Sequence, residues 1–198
     1  AAGLAQHLGD TNKSSASLPT FNRATHVAAI VGTPSHHTRD QVTQAVRKID
    51  AQLIPTERNI GLAAAMRSAR KAWRNRRPVI FDAVLPSTMA RNELADQLDF
   101  IQNLAATLKS EKDDLNFILT GGDTAQAALH GLGVEALEIV DEIDWGVPVG
   151  CARGSPSLEA SIVTKGGTMG GSTSLVKAFQ RLGYYRVAET SIGATYGS

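Results

Sequence analysis

Residues 114–125, DLNFILTGGDTA, place two adjacent glycines, a carboxylate and two hydroxyls directly after an apolar run. That pattern suits an anion site, phosphate above all. Glycine admits positive φ and lets backbone N–H groups come close to a ligand, and the helix that follows aims its unpaired amides and positive dipole end at the same point. Gly121, Gly122, Asp123 and Thr124 are the candidate ligand contacts, and Asp123 or Thr124 would cap the first turn where no ligand does. A second cluster, SIVTKGGTMGGSTS at residues 161–174, adds Lys165, Gly166, Gly167, Gly170 and Gly171 with several hydroxyls. A glycine loop of this kind can form an anion nest, and Lys165 would add a mobile point charge. Neither segment is a Walker A loop or a GxGxxG dinucleotide fingerprint.

These loops need elements to hold them. Apolar runs predict strands at His26–Val31, Ala51–Ile54, Pro78–Leu85, Leu115–Leu119, Leu137–Ile143, Val147–Ala152 and Leu158–Val163. Helical spacing predicts Thr38–Ile49, Gly61–Trp73, Ala90–Ser110, Ala125–Leu132 and Ser174–Leu182. Alternating β and α in the first half favours a mainly parallel sheet covered on both faces, with an antiparallel or mixed far side where strands from 137 to 163 follow one another closely. The expected fold is therefore a three-layer α/β/α domain with its glycine-rich loops at the carboxyl ends of strands, where such sheets collect ligands.

Four segments together resemble the four-carbon acid sugar kinase family, long known only as a domain of unknown function. They are VAAIVGTPSHHTRDQV (27–42), FILTGGDTA (117–125), EIDWGVPVGCA (142–152) and IVTKGGTMGGSTSLVKAF (162–179). Gly32, Thr33, Ser35, Thr38 and Gln41 fill the family's first motif, the GG[DE]TA string is intact, Glu142, Gly146 and Pro148 match the third motif, and Lys165, Gly167 and Gly170 the fourth. The resemblance implies a nucleotide-binding domain taking ATP and Mg²⁺. Thr33 or Ser35 would donate a hydroxyl bond, and Gly121, Gly122, Asp123, Thr124, Lys165, Gly166, Gly167 and Gly170 would surround the phosphates or ribose. Asp123 would reach Mg²⁺ through water or cap its helix; Lys165 would touch a phosphate or pair with an acid such as Glu142.

Members of that family are roughly twice this length, with an Asp-rich N-terminal domain that binds the sugar acid. The expectation is a fragment: residues 1–25 ending that domain and its linker, and 26–198 forming the nucleotide-binding domain. The function implied is the ATP-binding part of a kinase for a 3-oxo-tetronate or threonate-like acid, inactive alone, with catalytic residues unassigned and a homo-oligomer open; a non-enzymatic nucleotide- or anion-binding module is the alternative.

Composition sets the remaining bounds. Twenty basic against nineteen acidic residues leave no footprint for nucleic acid or an anionic membrane. The basic run Arg67–Arg77 reads as a solvated helix face. One cysteine, Cys151, excludes an internal disulfide and fits a reducing, cytoplasmic setting. No run approaches the roughly 20 apolar residues of a membrane span. His36 and His37 are adjacent, point to different faces and lack a further ligand at metal spacing. Tyr184–Ser198 reads as a tail.

Overall fold

A computed structural model describes residues 26–56, 61–85, 88–112, 114–154 and 158–183. The expected N-terminal linker and the tail from Tyr184 lie outside them. The elements run β1 (His26–Val31), α1 (His36–Ile49), β2 (Gln52–Pro55), α2 (Leu62–Arg74), β3 (Val79–Asp82), α3 (Arg91–Glu111), β4 (Leu115–Thr120), α4 (Gly122–Leu132), β5 (Ala136–Asp144), β6 (Val147–Arg153), β7 (Ser161–Lys165) and α5 (Ser174–Leu182).

The strands form one sheet in the order β2-β3-β1-β4-β7-β6-β5. The first five of these are parallel, and β6 pairs antiparallel with both β7 and β5. The mixed α/β/α architecture read from the sequence is the one observed.

Side-chain alternation explains the layers. On β1, Ala28 and Ile30 join Met66, Ala69 and Trp73 of α2, Ile101, Leu104 and Leu108 of α3 and Leu132 of α4. Val27, Ala29 and Val31 face the other way, onto Val42, Ala45 and Ile49 of α1 and Leu175, Val176 and Phe179 of α5. A strand whose every residue after His26 is buried must be covered on both sides, because successive side chains point to opposite faces. Gln97, Ile101, Leu104, Ala105 and Leu108 form the buried stripe of α3. Among the described residues no helix is long and apolar enough to cross a membrane.

Most boundaries move by a residue or more, β3 shortening to Val79–Asp82, and two of the differences have a clear physical reason. Leu158 and Ala160 are buried, so they looked like strand, yet pairing with β4 is confined to Phe117–Thr120 against Ile162–Lys165. The fourth helix starts at Gly122 instead of Ala125, because Gly121 alone takes the turn conformation, at φ 97°, and Gly122 is already helical.

Candidate functional site

Parallel pairing of β1, β4 and β7 fixes the geometry of the site. Val31 lies opposite Thr120, and Thr120 opposite Lys165, so the three strands end level with one another. Residues 32–35, 121–124 and 166–171 therefore leave the sheet on one rim. Gly32 N donates to Thr120 O at 3.1 Å and Gly121 N donates to Lys165 O at 3.1 Å, which ties the three exits together. The approach is close enough to require glycine. A Cβ on Gly32 would lie 1.8 Å from Thr124 Oγ1, and one on Gly167 would lie 2.5 Å from Thr33 Oγ1.

The structure thus brings together Thr33, Gly121, Thr124, Lys165, Gly166 and Gly167. Ser35 flanks them, 3.2 Å at its Cβ from where a Gly167 Cβ would sit. Gly122 and Asp123 are exposed on the first turn of α4. Gly170 belongs to the far end of its loop, where its N–H donates to Trp145 O at 3.0 Å.

Helix α1 holds the 166–171 loop by its carbonyls. Thr38 Oγ1 donates to Gly167 O at 2.7 Å, and Gln41 Nε2 donates to Met169 O at 3.1 Å and Gly171 O at 2.8 Å. His37 Nε2 lies 2.6 Å from Gly170 O, which makes that ring nitrogen the donor. Thr38 and Gln41 are both fully buried. The carbonyls of Gly167, Met169, Gly170 and Gly171 thus turn toward one helix, while the N–H groups of Met169, Gly170 and Gly171 are held by Gly166 O, Trp145 O and Asp144 Oδ2.

Lys165 is not the mobile charge the sequence suggested. It is 5% exposed, with Nζ donating to Thr38 Oγ1 at 3.1 Å and Gly166 O at 2.9 Å. Burial lowers its pKa from 10.5 to about 8. No carboxylate among the described residues pairs with it: Glu142 Oε1 instead accepts from Gly146 N at 2.7 Å. The last residue of β7 points at the first turn of α1. A buried ammonium with two neutral acceptors and a third N–H to place is suited to an anion.

The amino end of α4 completes the rim. Its N-cap is Gly121 and no side chain caps it, so neither Asp123 nor Thr124 plays the capping role expected of it. Both sit inside the first turn of α4, after the N-cap. Thr124 Oγ1 is buried without a partner, as is Thr120 Oγ1. Uncapped first-turn amides and an orphaned hydroxyl beside a dipole end form a site that an anion would satisfy.

Residues 28–175 match the family described as nucleotide-binding C-terminal domain. The chain belongs to that family. It is the C-terminal domain of the four-carbon acid sugar kinases. It is 35% identical over 79 residues to a D-threonate kinase of Bordetella bronchiseptica, covering 40% of this chain and 20% of that one. It is also 35% identical over 66 residues to a 3-oxo-tetronate kinase of Pseudomonas savastanoi pv. phaseolicola, covering 33% of this chain and 15% of that one. The fold recurs in a Bordetella bronchiseptica protein solved with bound citrate as a domain-swapped dimer (TM-score 0.66, 24% identity, 82% of this chain, 42% of that one). It recurs again in a Haemophilus influenzae protein (TM-score 0.67, 20% identity, 86% and 43%). The chain spans less than half of these solved relatives, and its matched segments span a fifth or less of the curated ones.

One organising residue of the nucleotide-binding domain escaped the sequence reading. Asp144, at the end of β5, accepts through Oδ2 from Ser174 Oγ at 2.6 Å, Gly171 N at 3.2 Å and Lys177 Nζ at 3.1 Å. Its Oδ1 accepts from Trp145 N at 3.0 Å. The Ser174 bond first, then those of Gly171, Lys177 and Trp145, hold its carboxyl far below the usual carboxylate range. Asp144 thereby joins the hairpin, the glycine loop and the start of α5. The third motif drew attention to Glu142, two residues away on the same strand; only the Asp-Trp-Gly turn hinted at Asp144.

Proposed function

We propose that the rim binds ATP with Mg²⁺ and that this domain is the nucleotide-binding part of a kinase that phosphorylates a four-carbon acid sugar of the threonate or 3-oxo-tetronate class. The observation that carries the reading is the convergence of an uncapped helix start, an orphaned Thr124 hydroxyl and a buried, acid-free Lys165 on one rim. Family membership supports the nucleotide, and the relatives' names support the sugar acid.

In this reading the first-turn amides of α4, at Gly122, Asp123 and Thr124, hold phosphate oxygens, with Gly121 turning the chain at positive φ so that they face outward. Lys165 supplies the compensating charge from below. Gly166, Gly167 and Gly170 line the second wall, and Thr33 or Ser35 donates a hydroxyl bond from the β1–α1 turn. Asp123, exposed on the first turn, is the carboxylate placed to meet Mg²⁺ through water. When bound, ATP supplies the phosphoryl group and Mg²⁺ neutralises charge on its phosphates. The chain's own residues position those groups and stabilise charge, which is most of what phosphoryl transfer asks of a protein. The sugar acid is bound by an N-terminal domain, ending near residue 25, that contributes the catalytic groups.

Isothermal titration with ATP–Mg²⁺, with GTP as the control, tests the reading. Selective though weak ATP binding, lost in Lys165→Ala, is expected; equal heats for the two nucleotides, or an unchanged affinity in the variant, would remove the site from the account.

A further inference from the structure

The turn between β5 and β6 stands on the same rim as the glycine loops. Val149 pairs antiparallel with Val163, and that register carried two residues further sets Val147 beside Lys165, so residues 145 and 146 leave the sheet where β7 ends. β6 lies next to β7 and two strands from β4, which puts the turn about 10 Å across the sheet from the start of α4. The turn carries Trp145, which is 73% exposed. Single apolar side chains are ordinary on a surface; what sets this one apart is its place on a rim shaped for a ligand.

The backbone of Trp145 is fixed although its side chain is exposed. Trp145 N donates to Asp144 Oδ1 at 3.0 Å, and Trp145 O accepts from Gly170 N at 3.0 Å. Gly146 follows at φ 69°, and its N–H donates to Glu142 Oε1 at 2.7 Å. Asp144 also holds Ser174, Gly171 and Lys177, so the turn and the glycine loop form one framework. Met169 fills the space between them. Its Sδ lies 2.8 Å from where a Cβ on Gly146 would sit, and its Cγ lies 3.1 Å from one on Gly166. An apolar side chain thus runs from the first residue of the glycine loop to the Trp145 turn. An exposed indole on a rigid backbone suits a flat aromatic group, because stacking uses the whole ring face and little freedom is left for binding to remove.

We propose that Trp145 is the platform on which the base of the bound nucleotide stacks, with Met169 flooring the path from base to phosphates. The inference rests on the nucleotide reading of the rim and extends it from the phosphates to the base. Backbone amides and Lys165 hold charge; Trp145 answers to an aromatic ring. Every base has a π-face, so the platform favours a nucleotide over a bare phosphate chain without choosing among bases.

Calorimetric titration with ATP–Mg²⁺ and, separately, with inorganic tripolyphosphate and Mg²⁺ tests it, since the second ligand has the phosphates and lacks the base. Trp145→Ala should weaken ATP about tenfold, the scale of one lost base–aromatic stack, and leave tripolyphosphate unchanged. Trp145→Phe, which keeps a ring, should retain most of the ATP affinity, and Lys165→Ala should weaken both ligands. ATP should also quench tryptophan emission saturably in the parent and not in Trp145→Phe, because the other tryptophan, Trp73, is only 7% exposed. An ATP affinity unchanged by Trp145→Ala and lowered by Lys165→Ala would overturn the platform and leave the rim reading standing. Equal losses of ATP and tripolyphosphate in Trp145→Ala would overturn it as well, by showing that the residue acts through the glycine loop. A parent chain that binds neither ligand would remove the rim reading and the platform together.

Discussion

Gly32 shows how little freedom single residues have at the rim. A Cβ there would sit 1.8 Å from Thr124 Oγ1 and 3.3 Å from the Ala83 carbonyl, with backbone on one side and a buried side chain on the other. Gly32→Ala should therefore cost about 1–3 kcal/mol, the usual range for overpacking, read as a lower midpoint in urea unfolding. A midpoint within error of the parent would show that Thr124 moves freely. Lys165 allows a second prediction. Its folded pKa of about 8 lies below the ordinary 10.5, so between those values the unfolded chain holds a proton that the folded chain has released. Stability contributed through this group is lowest below about pH 8 and rises with pH up to about 10.5. Lys165→Met removes that rise, so any stability advantage of the variant should shrink as pH increases through the window. A difference independent of pH would contradict a buried ammonium. Anion affinity at the rim should fall over the same range as Lys165 loses its charge.

At the scale of elements, α1 acts as the clamp for the glycine loop. Gln41 alone satisfies two loop carbonyls from a fully buried position. Gln41→Leu leaves both without that donor and should destabilise by about 1–3 kcal/mol, because orphaned buried acceptors keep their desolvation penalty. Hydrogen exchange at residues 166–171 should accelerate more than exchange in β1 or β4; uniform acceleration would place the effect in the core instead. Much of this level was legible in the sequence. The β1 and β4 runs are mostly apolar, and parallel strands buried on both faces leave that mark, so a mainly parallel sheet with its loops on one rim could be read directly. The glycine strings located the rim for the same reason, since close backbone approach needs glycine. What was not legible depended on distance in the chain. Thr38 and Lys165 meet across 127 positions and Asp144 and Ser174 across 30, and no local pattern announces such bonds. Lys165 looked mobile because glycine neighbours suggest a solvated loop, while its own place as the last residue of β7 buries it.

Seen whole, the molecule has two chemically different ends. The carboxyl ends of β1, β4 and β7 gather glycine, hydroxyls and one buried lysine, whereas the amino end of β1 lies beside the basic last turns of α2 and α3. The β5 edge carries Glu138, Asp141 and Glu142 beside the exposed Ile139, and charges on an edge strand discourage pairing with another sheet. Less than half of the solved relatives' length is represented in this chain, so phosphoryl transfer is a property to be sought in a protein of the relatives' full length. The measurement that reaches the central claim most directly is nuclear magnetic resonance of the isotopically labelled chain titrated with ATP–Mg²⁺. The account predicts saturable shifts concentrated at Gly32–Ser35, Gly121–Thr124 and Lys165–Gly170. Shifts confined to other surfaces, or none at these amides at saturating nucleotide, would contradict it.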